Sequence, residues 1–469
     1  MADEEPLDGP GPLRDSTVLV AGYGVAGRSA VRALVAAHAV VLVTADGPVE
    51  IEPGPGERQP VALGPLARVP DDPEHPGRPR PDVLVVSPGY PPDHPLLADA
   101  AARGVPVWGE VELAWRLRGA DAAPWLALTG TNGKTTTVHM LEAVLRAAGR
   151  RAIAVGNVGE SLVDAVRAGT AYDVLAVELS SQQLHFAPSI RPAAGALLNL
   201  APDHLSWHGS LDAYERAKTG VWRGDVAIVN LDDPRVMALA PPAATGFTLG
   251  EPGEGQLGVR GGRLVSRAFG DDGAVLADVA EVRPAGRHNV ANALGAAALA
   301  RALGVPADAV AAGLRAFVPD AHRNELVAVH DGIAWVDDSK ATNPHAADAS
   351  MSAYDRIVWI AGGQLKGVAV DELVAAHAGR LAGAVLLGQD RAAVAAALAR
   401  HAREVPVITV DNPDHGAMVE VVRAAAGLAG TGDTVLLAPA AASYDMFAGF
   451  AARGDAFAAA VHELIGDAS

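Results

Sequence analysis

The sequence contains no cysteine among its 469 residues. This absence excludes disulfide bonds, thiolate zinc sites and cysteine nucleophiles, so a catalytic metal would have to be bound by oxygen or imidazole ligands. Aromatic residues account for only 4% of the chain, although 50% of the residues are hydrophobic. Alanine, valine and leucine must therefore fill most core positions, and the excess of alanine favours helices.

The chain also lacks a membrane-spanning pattern and an excess of positive charge. No run of about 18 apolar residues occurs, and the acidic first residues, MADEEPLDGPGP, lack the apolar centre of a signal peptide. We therefore expect a cytoplasmic protein with no membrane partner. The formal net charge of −18 argues against a nucleic-acid partner, because binding along a phosphate backbone requires a basic surface. A small anionic ligand is compatible with this charge, because backbone N–H groups and a few cations can bind it locally.

What the sequence does contain is an α/β pattern that occurs three times. Strand-like apolar runs alternate with helix-like runs in the ranges 1–121, 122–318 and 319–469, and the length suits about three domains. We therefore predict an α/β fold with three domains. A proline-rich stretch, 48–81, predicts loops without regular elements, whereas the glycine-rich stretch 241–287 predicts hairpins.

The stretch VLVAGYGVAGRSA places Gly22, Gly24 and Gly27 in the G-x-G-x-x-G spacing directly after an apolar run. This spacing is typical of a Rossmann-like unit, in which a tight turn lets backbone N–H groups and a helix N-terminus approach a diphosphate. Taken alone, the motif predicts a dinucleotide cofactor and an NAD-dependent oxidoreductase. That function would leave the motifs of the later domains without a role.

A second glycine-rich turn, LTGTNGKTTT, lies between a predicted strand and a predicted helix. Its glycines would let the backbone wrap a phosphate, Lys134 would supply a cation to the terminal phosphates, and Thr135 would offer its hydroxyl to Mg²⁺. Leu128 occupies the position at which the eight-residue P-loop pattern has its first glycine, so the loop is a shorter G-x-x-G-K-T variant. The turn predicts a central ATP-binding domain, and an ordinary glycine turn before a helix is the alternative.

Polar residues follow the next predicted strands. Glu178, in AVELSS, is expected at the carboxyl end of a central strand, where it could bind Mg²⁺ or cap a helix. His204 and His208 have helical spacing, which is compatible with zinc but, without a third ligand beside them, is more typical of surface or capping residues. Lys218 by itself would be a solvated lysine on a helix.

Further polar residues lie on both sides of the predicted start of the third domain. Asn292, near the start of a predicted helix, would be a cap or a contact to an adenine edge. Arg323 follows in AHRNE. Two later strand ends carry polar and aromatic residues: Asp338, Lys340 and Thr342 after one, and Ser443, Tyr444 and Phe450 after the other, on an opening helix that Ser443 could cap.

Taken in order, these stretches resemble the Mur ligase family of peptidoglycan precursor synthesis. The motifs GTNGKTT, ELSS, DH…AK, GRHN..NAL, HR and DSKATN occur in the family order over most of the second and third predicted domains. The stretches ELSSQQL, DDSKATN and APAAASYDMF…RG most resemble the branch that adds D-glutamate. The resemblance implies a Rossmann-like UDP-substrate domain, a central P-loop ATPase domain and a Rossmann-like amino-acid domain.

The resemblance also implies a reaction. ATP phosphorylates the terminal carboxylate of UDP-N-acetylmuramoyl-L-alanine, and the amine of D-glutamate then attacks the acyl phosphate. The implied cofactors are ATP, Mg²⁺ at two sites, and CO₂ as a carbamate on Lys218. We expect a monomer.

Residue roles follow from the same resemblance. The catalytic residues it implies are Lys134, Glu178, His204, Lys218 and Arg323, and the Mg²⁺ ligands are Thr135, Glu178, His204 and carbamylated Lys218. The ATP contacts are Gly130, Thr131, Asn132, Gly133, Lys134, Thr135, Thr136, Asn292, Arg323 and Asp338. The UDP-substrate contacts are Gly22, Gly24, Val25, Ala26, Gly27, Thr44, Ser87, Gly89 and Asn157. The D-glutamate site consists of Thr342, Lys366, Ser443, Tyr444 and Phe450, with Lys340 as a further substrate contact.

Three other functions stay open beside the oxidoreductase. VDNPDHG, residues 410–416, resembles the Asp-Asn-Pro-Arg motif of the ligase that adds diaminopimelate or lysine, but Asp414 stands in place of the arginine. Folylpolyglutamate synthase has a similar ATP loop but no comparable N-terminal UDP domain. A nucleotide-regulated binding protein is the alternative that is not an enzyme. Phosphate release that depends on both the UDP-substrate and D-glutamate separates these functions.

Overall fold

The computed structural model describes residues 13–45, 51, 59–66, 68–70, 80–119, 121–168, 171–319, 321–412 and 416–467. These residues form three β-sheets with α-helices between the strands, which confirms the predicted α/β class. Most of the proline-rich stretch 48–81 lies outside the described residues, as does Asp414. Val61–Leu63 within that stretch forms a strand, so the prediction that it holds no regular element is wrong.

The first sheet has five parallel strands in the order β3-β2-β1-β4-β5. Its strands are Thr17–Ala21 (β1), Val40–Thr44 (β2), Val61–Leu63 (β3), Val83–Val86 (β4) and Val107–Gly109 (β5), with helices Val25–Ala36 (α1), Pro95–Ala102 (α2) and Glu110–Leu117 (α3). This is the strand order of a Rossmann-like unit. The strand order reverses between β1 and β4, and units of this kind bind ligands outside the carboxyl ends of the strands at that point.

The second sheet has nine strands in the order β14-β13-β12-β11-β10-β9-β6-β8-β7. The strands are Trp125–Thr129 (β6), Ala152–Gly156 (β7), Val174–Glu178 (β8), Ala194–Leu197 (β9), Val226–Asn230 (β10), Thr245–Phe247 (β11), Gln256–Arg260 (β12), Arg263–Ser266 (β13) and Ala274–Asp278 (β14). The helices that follow along the chain are Lys134–Ala147 (α4), Leu162–Arg167 (α5), Ser181–His185 (α6), Leu205–His208 (α7), Leu211–Thr219 (α8), Pro234–Leu239 (α9), Arg287–Ala302 (α10) and Ala307–Ala316 (α11).

The topology of the second sheet brings three loops together. Because β6 lies between β8 and β9 and all three are parallel, the loops at their carboxyl ends meet at one edge of the sheet. Glu178 lies at the carboxyl end of β8, an interior strand that pairs with β6 on one side and with β7 on the other. The antiparallel pairs β12–β13 and β13–β14 confirm the predicted hairpins, whereas β11 pairs in parallel with β10.

The third sheet has six strands in the order β15-β16-β20-β17-β18-β19. The strands are Glu325–His330 (β15), Ile333–Asp337 (β16), Ile357–Gly362 (β17), Leu381–Leu387 (β18), Val407–Thr409 (β19) and Thr434–Leu437 (β20), and the helices are Pro344–Met351 (α12), Asp371–His377 (α13), Arg391–His401 (α14), Ala417–Leu428 (α15) and Phe450–Asp467 (α16). β15 pairs antiparallel with β16, and the other neighbours are parallel. The order reverses between β17 and β20, so their carboxyl ends border the expected ligand crevice.

The chain divides into two compact units. The first comprises Met1–Val279 and Ala291–Phe317 and contains the first two sheets, and the second comprises Ala280–Val290 and Val318–Ser469 and contains the third. The boundaries of the three predicted domains stay predictions.

Small aliphatic residues fill the cores, as the scarcity of aromatic residues predicts. Most buried side chains are valine, leucine and alanine, and the largest fully buried ones are Trp125, Trp335 and Trp359. Within the described parts of the chain, no helix has both the length and the apolar character needed to cross a bilayer.

Candidate active site

The glycine-rich loop between β6 and α4 is built to surround an anion. Gly133 has a φ of +77°, which only glycine adopts without strain, and the helix begins at the next residue, Lys134. The loop is fixed by an amide pair, because the Asn132 N–H donates to the Asn199 side chain at 2.8 Å and Asn199 donates back to the Asn132 carbonyl at 3.0 Å. Thr131 contributes a buried hydroxyl 2.8 Å from the Tyr214 hydroxyl. The helix that follows the loop, α4, therefore presents the backbone N–H groups of its first turn, which is an anion-binding arrangement.

Other predicted ATP contacts, on α4 and α10, lie beside this loop. A Cβ on Gly133 would lie 2.2 Å from the Asn292 Oδ1 atom, so the Asn292 amide packs directly against the glycine. The Lys134 ammonium donates to the carbonyls of Gly130 and Thr131 at 3.0 and 2.9 Å. Thr135 and Thr136 occupy the first turn of α4, of which Thr136 is buried. Asn292 does not cap α10, because that helix begins at Arg287.

Glu178 presents a carboxylate at the end of β8, the strand next to β6. The side chain is 1% exposed, and its Oε1 atom accepts a hydrogen bond from the Asn157 side chain at 2.9 Å. Its Oε2 atom is buried and has no hydrogen-bond partner among the described residues. A buried carboxylate oxygen without a partner is costly unless a cation or a water binds it, so Oε2 is a fitting Mg²⁺ ligand.

Lys218 is buried, which corrects the expectation of a solvated lysine. The side chain is 2% exposed, and its amine donates to the Gly130 carbonyl at 2.8 Å and the Thr129 hydroxyl at 3.2 Å. Burial, together with the nearby Lys134 ammonium, holds the pKa of Lys218 well below its ordinary value, while Asp203 and Glu178 act in the opposite direction. The Lys218 amine therefore becomes neutral and nucleophilic at a lower pH than the amine of a surface lysine does.

The two histidines of the DH…AK segment have different environments. His204 is exposed, has a φ of +50° and lies just before α7. His208 is buried, and its Nε2 atom lies 2.9 Å from the Ser181 hydroxyl. The prediction of a surface or capping role is therefore wrong for His208, which packs among the rings of His185, Trp207 and Tyr214. Burial and neighbouring positive groups lower the pKa of His208 to about 4.

The first sheet places another glycine turn at the carboxyl ends of β1 and β4. Gly22 has a φ of +94°, and a Cβ there would lie 2.4 Å from the Ser87 hydroxyl. A Cβ on Gly27 would lie 2.0 Å from the Gly22 carbonyl, so this glycine lets α1 pack closely on the turn. Thr44 is buried, with its hydroxyl donating to the Gly64 carbonyl at 3.0 Å. The remaining predicted contacts of this region, Gly24, Val25, Ala26 and Gly89, lie on the turns after β1 and β4 and at the start of α1.

In the second unit, predicted nucleotide and amino-acid contacts surround the end of β16. Arg323 interacts electrostatically with Asp338, whose Oδ1 atom also accepts a hydrogen bond from the Asn324 backbone at 3.1 Å. Burial raises the pKa of Asp338 to about 6. The Lys340 ammonium lies 3.8 Å from the centroid of the Phe450 ring.

The other predicted amino-acid contacts lie near the carboxyl ends of β17 and β20. Lys366 is exposed and has a φ of +53°, and Gln364 nearby pairs through its backbone with Ala442. Ser443 is buried, whereas Tyr444 is 69% exposed. Both precede α16, which begins at Phe450, so the expectation that they lie on the helix and that Ser443 caps it is wrong. Thr342 lies in the turn after β16, where its N–H donates to the Lys340 carbonyl.

The sequence interpretation missed several residues that shape these loops. Arg453 is 1% exposed and donates to the Ser339 hydroxyl and carbonyl at 3.0 and 2.8 Å and to the Ala441 carbonyl at 3.1 Å. It therefore joins the loop after β16 to the loop after β20. A single arginine within an alanine-rich stretch was the available signal. Asn199 and Asp203 were also missed, although both follow the end of β9 in the segment NLAPDH.

Solved structures of similar fold support the three-sheet architecture. The chain matches UDP-N-acetylmuramate-alanine ligase from Thermotoga maritima with a TM-score of 0.56 and 16% identity, over 96% of this chain and 99% of that one. It matches MurF from Acinetobacter baumannii with a TM-score of 0.57 and 19% identity, over 92% of this chain and 89% of that one. At these identities the likeness concerns the fold alone.

Sequence comparison identifies the family. The Mur ligase middle domain matches residues 128–300, and the glutamate ligase domain of Mur ligases matches residues 322–441. UDP-N-acetylmuramoylalanine--D-glutamate ligase of Streptomyces avermitilis is 55% identical over 95% of this chain and 98% of its own length. The proteins of the same name from Streptomyces coelicolor and Thermobifida fusca are 54% and 52% identical, each over 97% of this chain. The chain therefore belongs to the Mur ligase family.

Proposed function

We propose that this protein joins D-glutamate to UDP-N-acetylmuramoyl-L-alanine with conversion of ATP to ADP and phosphate, in the synthesis of peptidoglycan precursors. A carboxylate oxygen of the UDP-substrate attacks the γ-phosphorus of ATP, and the bond to ADP breaks. The amine of D-glutamate then attacks the acyl carbon, an amide bond forms, and phosphate leaves together with a proton from the amine. Phosphorylation is needed because a carboxylate is a poor acceptor for an amine.

The observation that carries this proposal is the identity of 55% to the D-glutamate ligase of Streptomyces avermitilis over nearly the full length of both chains. The oxidoreductase alternative fails, because the central sheet carries a phosphate loop and the chain belongs to a ligase family. The names of the relatives likewise favour D-glutamate over diaminopimelate or lysine.

The phosphate loop supports ATP binding through its own groups. We propose that the loop residues Gly130, Thr131, Asn132 and Gly133 surround the phosphates and that the first turn of α4 donates backbone N–H groups to them, because the N–H groups of Thr131 and Asn132 already donate to Asn199. Lys134 can turn from its two carbonyl partners toward the phosphates. We propose that Thr136 and Asn292 complete the nucleotide contacts of the first unit. Arg323 and Asp338, in the second unit, are proposed as further nucleotide contacts.

Magnesium fits the same loops. Its first ligands would be the partnerless Oε2 atom of Glu178 and the Thr135 hydroxyl, and His204 is proposed for a second ion. When bound, Mg²⁺ would neutralise phosphate charge and reduce the repulsion between the two anions that must meet. Asn157 keeps the Glu178 carboxylate in place by donating to its other oxygen.

We further propose that Lys218 is carbamylated. The amine is buried, its pKa is lowered, and it lies among Lys134, Asp203 and Glu178, so the neutral form can attack CO₂ with the release of one proton. The product has two oxygens and a negative charge, which a hard cation such as Mg²⁺ prefers to an amine. It would also place a negative group beside the Lys134 ammonium.

The remaining residues are proposed for the substrates. The turn that contains Gly22, Gly24 and Gly27 would bind the diphosphate, since it leads into the N-terminus of α1. Val25, Ala26, Thr44, Ser87, Gly89 and Asn157 are proposed for the rest of the UDP-substrate, and Lys340, Thr342, Lys366, Ser443, Tyr444 and Phe450 for D-glutamate. We propose the domain ranges 1–121, 122–318 and 319–469 for these roles, and we keep cytoplasmic location and a monomeric state as predictions.

Measurement of phosphate release tests the function. The protein should release phosphate from ATP only when UDP-N-acetylmuramoyl-L-alanine and D-glutamate are both present. Equal release with L-lysine or diaminopimelate would contradict the amino-acid assignment. If none of the amino acids tested supports phosphate release, the ligase assignment is contradicted.

A further inference from the structure

The first turn of α3, a helix of the first sheet, contains a buried carboxylate that accepts hydrogen bonds from residues of the second sheet's helices and turns. Glu110 is 7% exposed and accepts a hydrogen bond from the Ser161 hydroxyl at 2.6 Å. The backbone N–H groups of Leu162 and Val163 donate to the same carboxylate. Glu110 therefore caps the N-terminus of α5, a helix of the second sheet, from a helix of the first sheet.

One side of this contact leads to the Asn157 loop. α5 begins at Leu162, directly after the turn that carries Asn157 and Gly159. The Asn157 backbone donates to the Glu178 carbonyl at 2.9 Å, and its side chain donates to the Glu178 carboxylate. The position of α5 therefore fixes the carboxyl end of this turn, whose other end is fixed by β7.

The other side leads to the glycine turn of the first sheet. The Ser161 hydroxyl also lies 2.8 Å from the hydroxyl of Ser29, which is fully buried on α1. α1 begins at Val25, immediately after Gly22 and Gly24. The same cluster therefore touches the helices that follow both proposed UDP-substrate loops.

The number of protons fixes the direction of the hydrogen bonds. A serine hydroxyl has one proton to donate, and Ser161 lies beside both a carboxylate and a second hydroxyl. With Glu110 ionised, Ser161 donates to the carboxylate and Ser29 donates to Ser161. The chain of hydroxyl hydrogen bonds therefore ends on the Glu110 carboxylate, which also accepts hydrogen bonds from the backbone N–H groups of Leu162 and Val163. An amide in its place would keep one acceptor oxygen and lose the other.

The charges around the cluster are paired with one another. Asp164 on α5 interacts with Glu110 and pairs with Arg32 of α1 at 2.8 Å. Burial raises the pKa of Glu110, and its hydrogen bonds from Ser161, Val163 and Leu162 act against that increase. The neighbouring Glu112 is a useful contrast, because it is also buried on α3 but accepts from Ser189 and Arg116 instead.

We propose that Glu110 is a positioning residue that fixes the Asn157 loop relative to the Gly22 turn, and thereby sets the affinity for the UDP-substrate. This inference rests on the proposed function, because it takes the UDP-substrate as the ligand of both loops. Glu110 contacts neither substrate nor metal in this role. It acts through Ser161 and α5 on one side and Ser29 and α1 on the other.

Titration calorimetry with UDP-N-acetylmuramoyl-L-alanine and with an ATP analogue tests the proposal on three variants of the full chain. Glu110→Gln should raise the dissociation constant of the UDP-substrate by about tenfold, the equivalent of one hydrogen bond to a charged group, and change that of the ATP analogue by less than about twofold. Ser161→Ala removes the hydroxyl link without removing the carboxylate, so it provides a second test if Glu110→Gln does not fold. Its expected effect is in the same direction and smaller.

Glu112→Gln is the matched control, since it changes another buried carboxylate of the same helix, one that accepts hydrogen bonds from Ser189 and Arg116. It should leave the affinity for the UDP-substrate within about twofold of wild type. Provided that the wild type binds the UDP-substrate, two results would overturn the inference. One is an equal change of its dissociation constant in Glu110→Gln and Glu112→Gln, and the other is no change in either Glu110→Gln or Ser161→Ala. A wild-type protein that does not bind the UDP-substrate would instead overturn the proposed function and the inference with it.

Discussion

The contact between Gly133 and Asn292 allows a sharp test of the ATP site. Gly133→Ala places an alanine at a φ of +77° and a Cβ atom 2.2 Å from the Asn292 Oδ1 atom. Gly149, just beyond the other end of the same helix, has a φ of +75° and no heavy atom within 4 Å of the corresponding Cβ position. Each alanine should cost about 1–2 kcal/mol because of its left-handed backbone. Only the Gly133 substitution must also displace the Asn292 amide.

The two variants should therefore differ in ATP affinity more than in stability. Displacement of the Asn292 amide would remove the hydrogen bond to the nucleotide that we propose for it, worth about 1–1.5 kcal/mol, so the dissociation constant for ATP should rise about tenfold in Gly133→Ala. Gly149→Ala should keep the wild-type value within about twofold. Titration calorimetry with a non-hydrolysable ATP analogue measures affinity, and urea unfolding measures stability. Equal ATP affinities of the two variants would refute the assignment of Asn292 to the nucleotide.

Three further substitutions probe the metal, the lysine and the second unit. Glu178→Gln keeps an acceptor for Asn157 but removes the negative charge that would bind Mg²⁺. The rate of phosphate release should therefore fall by about 10²–10³, with little change in the midpoint of thermal unfolding. An unchanged rate would argue against Glu178 as a metal ligand. Lys218→Ala should be inactive and partly rescued by short-chain carboxylates, whereas Lys134→Ala should show no rescue; full activity of Lys218→Ala without rescue would contradict carbamylation. Burial raises the pKa of Asp338 to about 6, so between about pH 4 and 6 the native protein holds a proton that the unfolded chain has released. The free energy of unfolding should therefore fall as the pH rises through this range. Asp338→Asn should remove this part of the pH dependence in urea unfolding curves, and parallel curves for both proteins would contradict it.

The glycine loops were predictable from sequence because their function depends on local backbone geometry. Gly22, Gly27 and Gly133 occupy positions where a positive φ or a close approach of other atoms leaves no space for a side chain. Glycine is required at such positions, so they appear in the sequence as glycines at fixed spacings. The strands around them were predictable for a related reason, since parallel strands buried on both faces are short apolar runs. The three-sheet α/β architecture followed from the alternation of these runs with helices.

Properties that depend on tertiary contacts were not predictable from local pattern. The sequence around Lys218 is that of an exposed helix, and only the approach of Gly130 and Thr129 buries its amine. Arg453 and Glu110 likewise form hydrogen bonds with residues distant in the sequence. β15 is hard to recognise in the sequence, because its residues are largely half-buried or exposed and it joins the sheet through an antiparallel pair with β16.

The transfer of oxygen from substrate to phosphate tests the central claim most directly. UDP-N-acetylmuramoyl-L-alanine labelled with heavy oxygen in its terminal carboxylate would be incubated with the protein, ATP and D-glutamate, and the released phosphate analysed by mass spectrometry. Because the carboxylate oxygen becomes the bridge of the acyl phosphate and departs when the amine attacks, each phosphate should carry one oxygen from that carboxylate. Unlabelled phosphate released together with the amide product would contradict the acyl-phosphate route.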